Sequence, residues 1–200
     1  MSTRRKSMPA PAAEAPRRAA DRIRDTAFEL FYREGIRAIG VEEIVNRAGV
    51  TKPSLYRAYE SKDELVADYL RDYHQRFFQR FEAPAAEHPD DPKAQLLAYL
   101  DRLAVRASSE GYRGCGLTNA VIEYPDHAHP AHQVAVDSKQ ALRERLREMC
   151  RGMRARDPDE LADSLLLLLE GCYVSGQTFG EGGPARVLGT AARRLIDAAL

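Results

Sequence analysis

Residues 35–65 read GIRAIGVEEIVNRAGVTKPSLYRAYESKDEL, and their spacing indicates two short helices joined by a tight turn. The first is expected over Val41–Ala48, where apolar residues recur at intervals of three and four. Gly49 should end it, because glycine readily adopts the left-handed conformation that closes a helix. Thr51 is the expected N-cap of the second helix, with its hydroxyl accepting a backbone N–H, and Pro53 is tolerated in the first turn. The pattern predicts a helix-turn-helix, whose second helix enters the major groove of DNA.

Helical periodicity extends on both sides of this motif. A helix is expected from Asp21 to Gly35, and Ser61 is the expected N-cap of another that runs towards Phe81. Breaks separate the remaining helical segments at 84–92, 111–116, 124–130 and 157–159. No alternating pattern typical of strands is present, so the sequence predicts an all-α fold.

Composition narrows the class of protein. The chain has 200 residues, of which 44% are hydrophobic and 30% charged, as in ordinary globular proteins. The longest apolar run, residues 165–169, is far shorter than the roughly 18 to 20 residues of a membrane span. The basic N-terminus lacks the apolar stretch of a secretory signal, and three cysteines are an odd, low number for a disulfide framework. We therefore expect a cytoplasmic protein with no membrane partner.

Charge is distributed unevenly along the chain, although the formal total is zero. Residues 1–62 carry a net charge of +5 and residues 63–200 a net charge of −5. The first 18 residues hold five basic side chains and one acidic one among prolines and alanines, and such a segment cannot bury a core. Residues 1–18 are therefore interpreted as a flexible basic arm, which either stays solvated or follows a phosphate backbone or minor groove.

Residues 35–65 also resemble the DNA-binding head of the TetR family of one-component transcriptional regulators. The matching parts are the Ala48-Gly49-Val50-Thr51 turn, the Ser54-Leu55-Tyr56 core of the second helix, Tyr59, and Ser61-Lys62 leading into Leu65. The resemblance implies a helix-turn-helix DNA-binding head of three helices over residues 19–65. It also implies a helical ligand-binding and dimerisation domain over residues 66–200.

The resemblance assigns seven side chains to the DNA interface. Those that would bond phosphates and fix position are Thr51, Tyr56 and Lys62. Those that would meet base edges are Lys52, Pro53 and Ser54, while Arg57 would reach a guanine or a phosphate.

Three positions depart from the family pattern. Gly40-Val41 stands where many members have a hydroxyl residue, and Ala58 stands where a histidine is common. Glu42 occupies a position where some members have a basic residue, and its carboxylate would repel phosphate. The operator sequences of relatives therefore do not transfer to this chain.

Two C-terminal segments suit a dimer interface. Residues 159–179 are apolar on most faces around residues 165–169, which predicts a helix buried on two sides. A final helix is expected from Pro184 to Leu200, with a stripe formed by Val187, Leu188, Ala191, Leu195 and Ile196. Together these helices predict a symmetric four-helix interface, and an ordinary monomeric core is the alternative. A dimer with recognition helices about 34 to 36 Å apart would read a palindrome.

A small-molecule pocket is expected in the C-terminal domain, because apolar helices with a few polar groups commonly enclose one. The candidate lining residues are Tyr99, Tyr112, Cys115, Asn119, Tyr124, Tyr173 and Gln177. Residues 113–123, RGCGLTNAVIE, resemble a segment that begins a helix beside the pocket in several family members. Cys115 would be either a sensor of electrophiles or oxidants, or a small buried hydrophobe.

Neither a metal site, a cofactor nor catalysis is predicted. Glu123 with His127, His129 and His132 forms a possible metal cluster, but Pro130 interrupts it and no paired cysteine is near. Phosphate-binding, hydrolase and dinucleotide motifs are lacking, so no enzyme activity is expected. We expect a homodimeric repressor that binds a palindromic double-stranded DNA operator and is released by a small-molecule effector. The alternative is a helical small-molecule-binding protein or enzyme without a DNA-binding role.

Overall fold

The computed structural model describes residues 18–200, so the basic arm predicted over residues 1–18 lies outside the described residues except for Arg18. The described part folds into helices and turns without a strand, which confirms the predicted all-α fold. Its α-helices are α1 (Ala19–Glu34), α2 (Val41–Ala48), α3 (Lys52–Ala58), α4 (Lys62–Glu82), α5 (Pro92–Ala107), α6 (Gly116–Glu123), α7 (Pro130–Gly152), α8 (Pro158–Phe179) and α9 (Leu188–Ala199).

The last helix begins later than the sequence indicated. Pro184–Val187 forms a 3-10 turn, and α9 starts only at Leu188. The expectation of one continuous helix from Pro184 was therefore wrong at its start. The tighter turn places Ala185 in the core, where it is 2% exposed, before the chain enters the α-helix.

Thr51 and Ser61 were both predicted to cap a helix, but only Ser61 makes the capping hydrogen bond. Thr51 occupies the N-cap position of α3 but caps no backbone N–H, because its Oγ1 pairs with Ser54 Oγ at 3.0 Å. The predicted capping bond of Thr51 was therefore wrong. Ser61 does cap α4, since its Oγ accepts the Glu64 N–H at 3.1 Å. A short polar side chain identifies a cap position more reliably than it identifies the hydrogen bond made there.

The turn between α2 and α3 is closed by glycine. Gly49 has φ 61° and ψ 42°, the left-handed conformation, and its N–H reaches the Asn46 carbonyl at 3.2 Å. The Val50 N–H then reaches the Val45 carbonyl at 3.0 Å, which completes a Schellman ending. This geometry sets the direction in which α3 leaves α2.

The core of the head lies where α1 packs against α2, α3 and α4. Ile23, Ile44, Leu55 and Leu65 are each fully buried there. Leu55 is the buried side chain of α3, so most of the helix is left facing solvent. The head therefore holds α3 by a single apolar anchor and presents its polar residues.

Helix α4 belongs to both halves of the molecule. Leu65 and Tyr69 pack in the head, whereas Phe81, further along the same helix, meets Tyr99 of α5 with ring centroids 4.7 Å apart. The division predicted between residues 65 and 66 falls inside this continuous helix. Head and C-terminal half thus share one rigid element.

Helix α8 carries the most apolar run of the chain. Leu165 and Leu169 are buried against neighbouring helices, while Leu167, between them, is 73% exposed. Of the helices in residues 18–200, none combines the length and apolar character needed to cross a bilayer.

We predict that Gly49→Ala lowers the free energy of unfolding by about 1 kcal/mol, because a Cβ is disfavoured in the left-handed conformation. Gly49→Asn should lose less, since asparagine tolerates that conformation. Urea unfolding followed by circular dichroism measures both variants. Equal losses for alanine and asparagine would contradict the conformational explanation.

Candidate functional site

Six of the seven residues predicted to meet DNA lie at α3 or its N-cap and reach the surface. Thr51, Lys52, Pro53 and Arg57 are exposed, and Ser54 is half-buried. Tyr56 is 48% exposed, which is unusual for a tyrosine with a core role. The structure therefore brings these side chains together on one polar, cationic surface, while the buried Leu55 holds α3 against the rest of the head.

Lys52 is held by an acidic neighbour on α2. Its Nζ lies 2.6 Å from Glu42 Oε1, and both side chains are exposed. The hydrogen bond that Lys52 donates to Glu42, together with the charge of that carboxylate, raises the pKa of Lys52, so the ammonium stays protonated. Lys52 can meet a base only after this contact opens, and Glu42 leaves a negative charge beside the recognition surface.

Lys62 differs from the other six because it lies outside α3, at the start of α4, where it is half-buried. Its ammonium donates to the Ile36 carbonyl at 2.7 Å and lies 6.0 Å from the centre of the Phe31 ring. Burial lowers the pKa of Lys62 from its usual value. The side chain ties α4 to the turn before α2 and keeps two of its three N–H donors for another partner.

A cavity of about 640 Å³ lies where α1, α4, α5 and α8 meet the loop before α6. Four of the seven predicted pocket residues line it: Tyr99, Tyr112, Cys115 and Tyr173. The volume falls within the range of about 300 to 1,000 Å³ typical of small-molecule sites. Since α1 belongs to the head, the cavity touches both halves of the molecule.

The other three predicted pocket residues lie outside the lining. Asn119 holds the preceding loop, because its Nδ2 donates to the Arg113 carbonyl at 2.8 Å. The Tyr124 ring stacks on His129 with centroids 4.1 Å apart. Gln177 is exposed and packs over Gly114, where an added Cβ would meet its side chain.

Sequence reasoning missed the part of the lining that comes from α1 and α4. Phe28 and Tyr32 approach from α1, and Tyr69, Tyr73 and Phe77 from α4. The last three recur every fourth residue, the spacing of one helical face, and are easily taken for ordinary core. Spacing alone does not show that this face borders a cavity.

The three cysteines are unpaired and buried, but their surroundings differ. Burial raises the pKa of Cys150 and that of Cys172 to about 11, so both remain thiols at neutral pH. Cys115 lines the cavity, and Lys139 Nζ lies 3.5 Å from its sulfur. Lys139 also pairs with Glu170 at 2.6 Å. A sensing role for Cys115 stays a prediction.

The histidines in the turn between α6 and α7 and in the first turn of α7 are engaged locally. His129 Nδ1 accepts the Ala131 N–H at 3.1 Å, and His132 Nδ1 lies 2.7 Å from the Tyr124 carbonyl oxygen. Within residues 18–200 there is no group of three or more side chains placed to hold a metal ion.

Two polar links join the head to α6 and to the loop before it. Glu123, at the end of α6, accepts the Arg37 N–H on its Oε2 at 2.7 Å. The Tyr32 hydroxyl accepts the Arg113 N–H at 3.2 Å and lies 3.4 Å from the Gly114 carbonyl. Helix α6 thus begins beside cavity-lining Cys115 and ends on the turn that precedes α2.

Comparison with known proteins places this arrangement in a family. Residues 23–69 match the model of bacterial regulatory proteins of the TetR family. A solved TetR-type transcriptional regulator of Streptomyces avermitilis is 32% identical with a TM-score of 0.78, over 92% of this chain and 98% of that one. The chain belongs to the TetR family. It is a transcriptional regulator with a helix-turn-helix DNA-binding head, as the resemblance of residues 35–65 implied.

Two further relatives share most of the length of this TetR-family regulator. A TetR-family transcriptional regulator of Streptomyces coelicolor has a TM-score of 0.80 and 27% identity, over 90% of this chain and 93% of that one. The transcriptional repressor ComR of Escherichia coli is 26% identical over 167 residues, covering 78% of this chain and 79% of that protein. The similarity therefore extends well beyond the DNA-binding head.

We predict that Glu123→Gln loosens the head at the turn before α2. A neutral amide accepts a hydrogen bond more weakly than a carboxylate, so the Arg37 N–H should exchange with solvent about tenfold faster. Hydrogen exchange read by mass spectrometry on peptides spanning residues 35–40 measures this. Glu181→Gln is the control, because Glu181 is exposed and lies after α8, outside α6 and the turn before α2. Equal exchange in both variants would refute the role of Glu123.

Proposed function

We propose that this TetR-family regulator is a ligand-responsive repressor that binds a palindromic operator as a homodimer and leaves it when a small molecule occupies the cavity. The observation that carries the proposal is the shared wall of the cavity, which is lined by Phe28 and Tyr32 of the head and by Tyr99 and Tyr173 of the C-terminal half. A ligand bound there contacts the DNA-binding head directly. The repressor ComR, which is similar over most of this chain, supports repression as the direction of control.

The DNA contacts follow from the exposure and charge of the α3 surface. Thr51, Tyr56 and Lys62 would bond phosphates and so fix the position of the head on the duplex. Arg57 and Lys52 supply cationic donors that reach guanine or phosphate from the same helix. The remaining side chains of the surface, Pro53 and Ser54, are short enough to let α3 approach the floor of the major groove. The negative Glu42 limits how strongly any duplex is held.

A dimer supplies the second recognition helix that a palindrome requires. Leu167 and Val174 of α8 are 73% and 53% exposed, and because they are seven residues apart they share one face of the helix. Leu195 of α9 is exposed as well, at 38%. Leu188 and Ile196 of the predicted stripe pack inward instead, so the outward part of the stripe is narrower than its sequence suggests. Apolar side chains exposed together favour association with a second copy.

Ligand binding acts on DNA binding through linkage. A ligand shifts the balance between two dimer geometries only by the difference in its affinity for them. Displacement of Gly114 or Cys115 by a ligand would be transmitted by Tyr32 to α1 and by Glu123 to the turn before α2. A coupling of about 1 to 3 kcal/mol would weaken operator binding roughly 5- to 150-fold.

A gel-shift titration against DNA from upstream of the regulator's own gene tests the proposal. Preference for a palindromic fragment over random DNA at moderate salt, and a stoichiometry of two chains per operator, are the expected results. A protein that binds a ligand but shows no preference among DNA fragments would instead be a helical small-molecule-binding protein.

Substitutions in α3 and α4 should separate positioning from sequence preference. Tyr56→Phe and Lys62→Ala are expected to weaken binding to every duplex about tenfold, and Lys62→Ala to reduce the salt dependence by about one phosphate contact. Lys52→Ala and Ser54→Ala should change which operator is preferred, at a cost of about 1 to 3 kcal/mol on the best site. Titrations of specific and random DNA at several salt concentrations measure both effects. Equal losses on both kinds of DNA for all four variants would overturn this division of roles.

A charged side chain introduced on the exposed face of α8 tests the predicted dimer. Leu167→Glu should convert the protein to monomers at micromolar concentration, because the interface would bury an unpaired carboxylate. Val105→Glu is the matched control, since Val105 is a 76% exposed residue on α5, outside the proposed interface. Sedimentation velocity measures the mass of each variant. A wild-type protein that sediments as a single chain would contradict the proposal.

A further inference from the structure

Two tyrosine hydroxyls at the bottom of the cavity lack hydrogen-bond partners. Tyr99 is 1% exposed and Tyr173 is 3% exposed, and both side chains line the cavity. Neither hydroxyl has a partner of acceptable geometry within the described residues. Even a bond between the two would satisfy only one of their two O–H donors. A buried donor left unsatisfied costs free energy, so this site calls for an acceptor from outside the chain.

Both phenols are held in their donor form. Burial raises the pKa of Tyr99 to about 12 and that of Tyr173 well above its usual value. At neutral pH each hydroxyl therefore keeps its proton and is able to donate it to a ligand oxygen.

Two arginines of the lining add positive charge near these hydroxyls. Arg106 shares a face of α5 with Tyr99, since the two are seven residues apart, and it is half-buried. Arg80 approaches from α4 and is exposed. Both guanidinium groups lie close enough to Tyr99 to lower its pKa electrostatically against the larger effect of burial. The donors of the site are thus two phenols and two cations.

These two arginines differ from the other cations of the lining in their partners. Arg33 pairs with Glu29 at 3.1 Å, and Arg76 pairs with Asp72 at 2.6 Å. Within residues 18–200, no carboxylate lies within 4 Å of Arg80 or Arg106. Their charge is therefore available to a ligand, and guanidinium groups bind carboxylates especially well.

Aromatic rings form much of the remaining wall. Phe28 and Tyr32 come from α1, Tyr73 and Phe77 from α4, and Tyr112 from the loop before α6. Flat aromatic surfaces favour a flat apolar ligand body, which can stack on their faces or meet their edges. Four carboxylates also line the cavity. Glu29 and Asp72 pair with Arg33 and Arg76, and Asp25 and Glu110 are exposed.

We propose that the effector is an aromatic carboxylate, whose ring lies against the aromatic wall and whose carboxylate accepts hydrogen bonds from Arg106, Tyr99 and Tyr173. Arg80 closes the solvent side of the same anionic group. The proposal rests on the proposed function in taking this cavity as the effector site, and it adds the chemical class of the ligand. A cationic ligand, drawn by Asp25 and Glu110, is the opposite outcome.

Three naphthalene compounds of similar shape and different charge test the class of ligand. Isothermal titration calorimetry on the full chain compares 2-naphthoate, 2-naphthamide and 2-naphthylmethylammonium. The carboxylate is expected to bind at least about tenfold tighter than the amide, because its charge forms ion pairs with the arginines and strengthens the hydrogen bonds that the tyrosine hydroxyls donate. Tighter binding of the amide or the ammonium compound would overturn the proposal, as would no heat from 2-naphthoate up to about 1 mM.

Variants locate the anionic group within the cavity. Arg106→Gln should weaken 2-naphthoate binding about tenfold and leave 2-naphthamide within about twofold, while Tyr173→Phe should weaken 2-naphthoate several-fold. Arg102→Gln is the control, because Arg102 lies on the same helix but pairs with Glu87 outside the cavity. If Arg106→Gln affects the carboxylate no more than the amide, the assignment is wrong.

A gel shift without ligand separates this proposal from the repressor function. Operator binding together with rejection of 2-naphthoate would overturn the ligand class alone. Binding of 2-naphthoate without any preference among DNA fragments would overturn the repressor function and leave the ligand class standing.

Discussion

The packing of α1 on α4 is the constraint on which the rest of the molecule depends. Phe28 and Phe31 of α1 meet Tyr69 of α4 edge-on, with ring centroids 5.3 and 5.6 Å apart. Beside them Arg24 pairs with Asp72 at 2.6 Å. Helix α1 packs in the core of the head, and α4 continues into the C-terminal half. The contact between them therefore fixes how the two halves are oriented. The cavity borders the same contact, so a ligand bound there would act on the packing of α1 against α4.

Local chemistry accounts for the parts of the fold that could be predicted from sequence. The turn at Gly49 and the cap at Ser61 depend on the conformational freedom or side-chain oxygen of one residue, and both were predicted. The span of α2 was likewise predicted from the interval between its apolar residues. These features need no knowledge of what lies across the molecule.

The candidate site was harder to predict because it depends on which helices meet. Tyr99 and Tyr173 were predicted to line a pocket, but Arg106, seven residues after Tyr99, was not. Its role becomes visible only when its guanidinium is found without a carboxylate beside a cavity. Asn119 and Gln177 show the converse, since both are polar residues of plausible type that the packing directs to the loop before α6. Residue type suggests a chemistry, whereas tertiary packing decides where that chemistry is placed.

The contact between Glu42 and Lys52 affects how a regulator searches a chromosome. A carboxylate at this surface repels every duplex, lowers the affinity for all of them by about the same factor, and so shortens the time spent on non-specific sites, which are held almost wholly by phosphate contacts. A correct operator offsets the loss with contacts to bases, which random sequence does not provide. The regulator would then leave each wrong site sooner and sample more of the chromosome in a given time.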